Sequence, residues 1–176
     1  TAPDTDPPMP LPPPSFEGTV RDLTPDEQQA MQGVTMHPGC PVGIEALAAV
    51  ELRHWDRDGA VQQGLLVVAR PHAEPLLGVF RTLFELRFPL TSVRPMVEFD
   101  GDDDRSMAAD NTSAFNCRKV TGTAVYSEHS HGHAIDVNPL RNPWVKRREG
   151  QVVRVDPPQG APYADRSADH PGMIRE

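Results

Sequence analysis

Lysine is almost missing from this chain: it occurs only at positions 119 and 146, and the other basic residues are arginine. With 25 acidic against 17 basic residues the formal charge is −8, which disfavours nucleic acid as a partner, because phosphate binding needs a basic face. No apolar run approaches the roughly 18 residues that a membrane-spanning helix needs, so no transmembrane segment is expected. Bulky apolar residues are scarce from Thr1 to Pro14, where proline dominates and Asp4 and Asp6 add charge. Such a stretch cannot bury enough surface to offset its ordering entropy, and it reads as an extended, polyproline-like arm. An initial methionine is missing too, which fits an export segment removed ahead of Thr1. Cysteine is limited to Cys40 and Cys117. In an exported protein this even pair suggests a disulfide closing a long loop, worth about 4 kcal/mol on the chain-entropy model; in a reducing cytosol it would be two buried thiols.

Setting aside residues 1–18 as the arm leaves 19–176 as one domain, long enough for a single core. Thr24-Pro25-Asp26-Glu27 opens a helix, with Thr24 as N-cap, Pro25 in the first turn and two carboxylates at the positive end of the helix dipole; it runs to about Gln32 and stops at Gly33. Ala46 to Asp56 and Val61 to Ala69 are β-rich runs on either side of Arg57-Asp58-Gly59, which predicts a hairpin. Glu74-Pro75 opens a second helix whose apolar stripe is Leu76, Phe80, Leu83 and Phe84, a core face ending near Phe88 because of Pro89. Ser92 to Phe99 reads as a further strand. Short strands flanking a few helices, without regular alternation, give an α+β fold with a small, mainly antiparallel sheet and flanking helices.

Asp100-Gly101-Asp102-Asp103-Asp104 places carboxylates at alternate positions but fails the EF-hand calcium template. Arg105 stands where the loop glycine belongs and Asn111 where the bidentate glutamate belongs. The run reads as a solvated surface turn delivering Ser106 and the residues after it.

The densest chemistry lies from Ser127 to Pro139, Ser-Glu-His-Ser-His-Gly-His-Ala-Ile-Asp-Val-Asn-Pro. His129 and Asp136, seven positions apart, offer an imidazole and a carboxylate on a strand and the turn feeding it, donors that suit zinc. The pattern Ser-x-His-x-x-Gly-x-Ala-Ile-Asp resembles the signature of the M15 zinc metallopeptidases, the D-Ala-D-Ala carboxypeptidases and L-Ala-D-Glu peptidases of bacterial cell-wall metabolism. The block Ser106 to Arg118, and downstream Asn138-Pro139 and Asn142-Pro143-Trp144-Val145, continue the resemblance, which covers the chain from about Gly39 onward.

The resemblance implies a small central sheet carrying the ligands, with Ala134 to Val137 as a buried strand and Asp136 pointing into a cleft. It implies Zn2+ as cofactor, His129 and Asp136 as two of its three protein ligands, and a zinc-activated water as the nucleophile. Arg118 and Ser127 match positions that contact substrate, Arg118 being suited to a carboxylate or a developing oxyanion. The implied partner is a peptidoglycan stem peptide, and the implied location is secreted or associated with the bacterial cell wall. The family places its catalytic Glu and third zinc ligand in a Glu/Asp-x-x-His element near the C-terminus; Asp169 to Ile174 resembles the segment before it, so neither is expected within these residues. Glu51-Leu52-Arg53-His54 is no substitute, since positions i and i+3 of a strand face opposite ways. His131 and His133 would share a strand face with His129 but fill variable positions, and His170 has Ser167 where a Glu would stand. An alternative function is therefore a catalytically inactive module that binds stem peptide through the same cleft.

Overall fold

The structure is a computed structural model that describes residues 13–175. The polyproline-like arm falls mainly on residues 1–12, outside the described residues. Phe16, just beyond them, packs edge-on against Phe84.

Strand β1 (Gly18–Arg21) leads to helix α1 (Pro25–Met31), which opens as its sequence predicts. The Thr24 hydroxyl accepts from the Glu27 N–H, and the Glu27 carboxylate accepts from the Thr24 N–H, a reciprocal capping box. The predicted hairpin is β2 (Leu47–Trp55) and β3 (Val61–Ala69), paired antiparallel from Leu47↔Ala69 to Trp55↔Val61. Its turn is held by Asp56 Oδ1, which accepts from the Asp58 and Ala60 N–H groups, while Gly59 takes the left-handed conformation. β1 joins the far edge of β2, giving a three-stranded antiparallel sheet in the order β1-β2-β3.

Both faces of this sheet are covered. Ala48, Val50, Leu52, Leu66 and Val68 pack on helix α2 (Arg70–Glu85) through Ala73, Leu77 and Phe80. Leu47, Ala49 and Val67, on the other face, pack on Met31, Met36, Phe115 and Cys117. α2 begins four residues before Glu74, because Pro71 occupies the first turn, where its missing N–H costs nothing. It ends at Glu85, and Arg87 at positive φ turns the chain toward Pro89.

Three expectations need correcting. The run Ser92 to Phe99 forms only the two-residue strand β4 (Ser92–Val93) and then a 3₁₀ turn, Met96–Phe99. Pro95 has no N–H to donate, and the Asn111 side chain takes over the ladder by bonding the Ser92 hydroxyl and both backbone groups of Arg94. The acidic run is no surface turn throughout. Asp102 caps helix α3 (Asp103–Ala108) by accepting from the Arg105 N–H, so the carboxylates sit at the positive end of a helix. After α3, β5 (Asn111–Thr112) pairs parallel with β4. Ala134 to Val137 is not a buried strand either: it is half-exposed, and its one bridge joins Asp136 to Ser113. A hairpin that sequence reasoning did not foresee, β6 (Trp144–Arg148) and β7 (Gln151–Asp156), turns at Glu149-Gly150, both at positive φ as a tight hairpin requires. The architecture is α+β with small, mostly antiparallel sheets.

Cys40 and Cys117 form a disulfide across 77 positions. Replacing both by serine is expected to lower unfolding free energy by about 4 kcal/mol in guanidinium titrations; a loss under about 1 kcal/mol would contradict the loop-closure account. Arg21 bonds the Glu27 carboxylate through both terminal nitrogens and holds its pKa down to about 2 from an ordinary 4.5. A carboxyl with depressed pKa stabilises the fold above its unfolded value and loses that contribution as pH falls. The melting-temperature gap between the native chain and Glu27→Gln is therefore expected to be constant above pH 5 and to close as pH falls toward about 2.

Candidate metal centre and cleft

The backbone from Ser113 to Arg118, buried as far as Cys117, is braced by four separate parts of the chain. Ser113 exchanges both backbone hydrogen bonds with Asp136, at 3.0 and 2.9 Å. The Phe115 N–H donates to Val67, the Asn116 N–H to His129 and the Cys117 N–H to Thr35, all to backbone carbonyls. Ser130, fully buried, closes the arrangement: its hydroxyl accepts from the Arg118 N–H at 2.9 Å and donates to the Arg118 carbonyl at 2.7 Å.

This bracing brings His129 and Asp136 together. His129 lies in a 3₁₀ turn, Glu128–His131, that feeds the segment carrying Asp136, and Ser127 caps that turn by accepting from the His129 N–H. His129 Nδ1 lies 2.6 Å from the Ala114 carbonyl oxygen, which can only accept, so Nδ1 carries the proton. Nε2 is left facing Asp136 Oδ2 at 3.3 Å. The imidazole is 12% exposed and the carboxylate 44% exposed, so the pair opens to solvent on the Asp136 side. Two acceptors cannot face each other this closely without a cation between them, and a proton or a metal ion answers equally. Burial pulls the His129 pKa down, but the hydrogen bond and charge of Asp136, helped by the Ala114 carbonyl, outweigh it and hold it above the ordinary value. An imidazole oriented by a carbonyl at its far nitrogen is the arrangement that metal-ligating histidines adopt. The donor set thus fits zinc at two positions.

Arg118 enters through a residue that sequence reasoning assigned to a surface turn. The half-buried Asp103 carboxylate accepts from Asn116 Nδ2 at 2.9 Å and pairs with the Arg118 guanidinium at Nε. That Nε is enclosed and has no hydrogen-bond partner among the described residues, so the contact is an ion pair by proximity. Burial raises the Asp103 pKa, opposed by Arg118, Asn116 and His129 and reinforced by Asp136. Asp103 is thereby within electrostatic reach of the His129–Asp136 pair. Ser127 is buried, with its oxygen on the backbone of the turn it caps.

The remaining candidates lie elsewhere. Glu51 pairs with Arg21, while His54 is buried and bonded to the Trp55 carbonyl. His170 packs edge-on against Tyr163, and His131 and His133 stack on each other instead of joining His129. Among the described residues, three metal-capable donors converge only at His37, Cys40 and Cys117, where the disulfide occupies both sulfurs.

A family model described as D-alanyl-D-alanine carboxypeptidase matches residues 121–171. The matched span holds Ser127, His129 and Asp136 and stops short of Arg118 and Asp103 on its N-terminal side. It supports a relation to the M15 peptidases, which are generally zinc enzymes, and a peptidase of the D-Ala-D-Ala carboxypeptidase kind. No curated protein and no solved structure matches the chain.

Asp136→Asn keeps the backbone bridge to Ser113 and removes the half-exposed negative donor. It is expected to weaken zinc at least tenfold in a chelator-competition titration, with an unchanged melting temperature; unaltered affinity would exclude Asp136 as a ligand.

Proposed function

We propose that the domain of residues 19–176 belongs to a zinc-dependent peptidase acting on peptidoglycan stem peptides, of the D-Ala-D-Ala carboxypeptidase or L-Ala-D-Glu endopeptidase type, at the bacterial cell wall. The observation that carries the reading is His129, its Nδ1 proton committed to Ala114 and its Nε2 turned to Asp136 across 3.3 Å, inside the segment that matches the family model.

His129 and Asp136 would hold the zinc, with a third ligand and a general base supplied by the Glu/Asp-x-x-His element that the resemblance implies. Bound zinc would supply Lewis acidity, lowering the pKa of a water to about 7 so that it is a competent nucleophile at neutral pH. The residues of this chain do the positioning. Ala114 fixes the tautomer of His129, and Ser113 fixes the backbone of Asp136. Arg118 would grip the substrate carboxylate or carbonyl and stabilise negative charge as it develops there. Asp103 engages Arg118 at Nε, on the side nearer its stem, and Nη1 reaches the Lys119 carbonyl at 3.5 Å, which leaves Nη2 for substrate. Ser127 holds the turn that carries His129.

The zinc-loaded full chain, incubated with a stem pentapeptide ending in D-Ala-D-Ala, is expected to release one D-Ala or to cut after L-Ala, read by mass spectrometry. A chelator and Asp136→Asn should each abolish the cleavage. Saturable binding of an intact peptide would instead establish the inactive binding module, and an intact, unbound peptide would overturn both. Arg118→Ala is expected to lower kcat/KM by about 10²–10³. Asp103→Asn should act in the same direction but less, mainly through KM, with recovery in Asp103→Glu; equal KM values across the three would remove Asp103 from substrate positioning.

A further inference from the structure

The motif His129-Ser130-His131-Gly132-His133 is richer than the candidate centre needs, and its two remaining histidines meet a third from a distant part of the chain. The His133 ring stands edge-on to His72, with centroids 5.0 Å apart, and His131 stacks on His133 at 5.5 Å. Glu128 Oε2 lies 3.6 Å from His133 Nδ1. We propose that His72, His131 and His133, with Glu128 beside them, form a second binding site for a divalent transition metal, zinc in the first place, separate from the His129–Asp136 pair.

The juxtaposition is built into the backbone. The Ala69 N–H, at the start of α2, donates to the Gly132 carbonyl at 3.0 Å. Gly132 has a left-handed φ of +70°, and a Cβ there would stand 2.4 Å from the Ala69 nitrogen, so only glycine lets the loop sit this close. Ala69 is the residue from which α2 starts, and His72 lies in the first turn beyond it. The docking of the loop on β3 and α2 brings His133 to His72, with His131 stacked on His133.

Three imidazoles with one carboxylate are the donors that zinc, copper and nickel prefer. Histidine-poor alternatives such as calcium or magnesium would need more oxygens than the cluster offers. In the resting conformation the ring nitrogens do not converge on one point. His72 and His133 are exposed and His131 half-buried, so rotation about the side-chain torsions can gather them without moving the backbone. The site does not depend on the proposed peptidase activity, because it shares no ligand with the His129–Asp136 pair.

The test is zinc titration of the metal-stripped full chain by calorimetry, paired with Cu2+ electron paramagnetic resonance. The expected result is a class of zinc sites that His72→Ala and His133→Ala each weaken at least tenfold while Asp136→Asn leaves it unchanged, and a Cu2+ spectrum whose nitrogen splitting is lost in both histidine variants. If Asp136→Asn removes all binding, or if neither histidine variant changes affinity or spectrum, the proposal is overturned. The variants alter exposed side chains, and an unchanged melting temperature confirms that a loss of binding is local. A chain that binds zinc only through His72 and His133 would sink the peptidase reading and leave this one standing.

Discussion

Everything at the cleft hangs from one buried length of backbone, Ser113 to Arg118. Its hydrogen bonds are shared among β3, the loop at Thr35, the turn at His129 and the bridge to Asp136, so four segments far apart in sequence are fixed by one. Buried backbone groups must be paired, and here the pairing doubles as site construction: the Ala114 carbonyl, free of any ladder, orients the imidazole. The disulfide at Cys117 and the Ser130 hydroxyl pin the same length of chain at its end, immediately before Arg118 turns toward Asp103.

The charges at the cleft alternate. Asp103 faces Arg118, and Asp136 faces His129; Asp136 raises the cost of charging Asp103, while Arg118 and His129 lower it. The imidazole and carboxylate that face each other at 3.3 Å are the pair that a metal ion would take, in exchange for any proton between them. The arrangement needs no movement of backbone between the two conditions, since Ser113 and Ala114 hold both side chains from behind.

Much of this was legible in the sequence, and the limits of what was legible have physical causes. The capping box at Thr24 and the hairpin from Leu47 to Ala69 announced themselves because local chemistry alone decides them. His129 and Asp136 were readable as a pair from their motif, although Asp136 sits on an isolated bridge to Ser113 and not on a strand. Asp103 was not readable as a site residue, because in a run of three aspartates only tertiary packing tells which one turns inward to Arg118. The end of β4 was missed because the competing partner, the Asn111 side chain, is 17 or more residues away in sequence. The meeting of His72 with His133 likewise depends on Gly132 docking on Ala69, a contact that no periodicity reveals.

Zinc X-ray absorption on the full chain at one equivalent of metal tests the central claim most directly, because it reads the donor atoms themselves. The account expects a shell of nitrogen and oxygen at about 2.0–2.1 Å, with imidazole scattering and no sulfur, and, in a His72→Ala/His133→Ala background that removes the second site, its disappearance on combining His129→Ala with Asp136→Asn. A sulfur shell near 2.3 Å would move the metal to His37, Cys40 and Cys117, and an unbound aquated ion would leave the cleft without a metal; either would contradict the account.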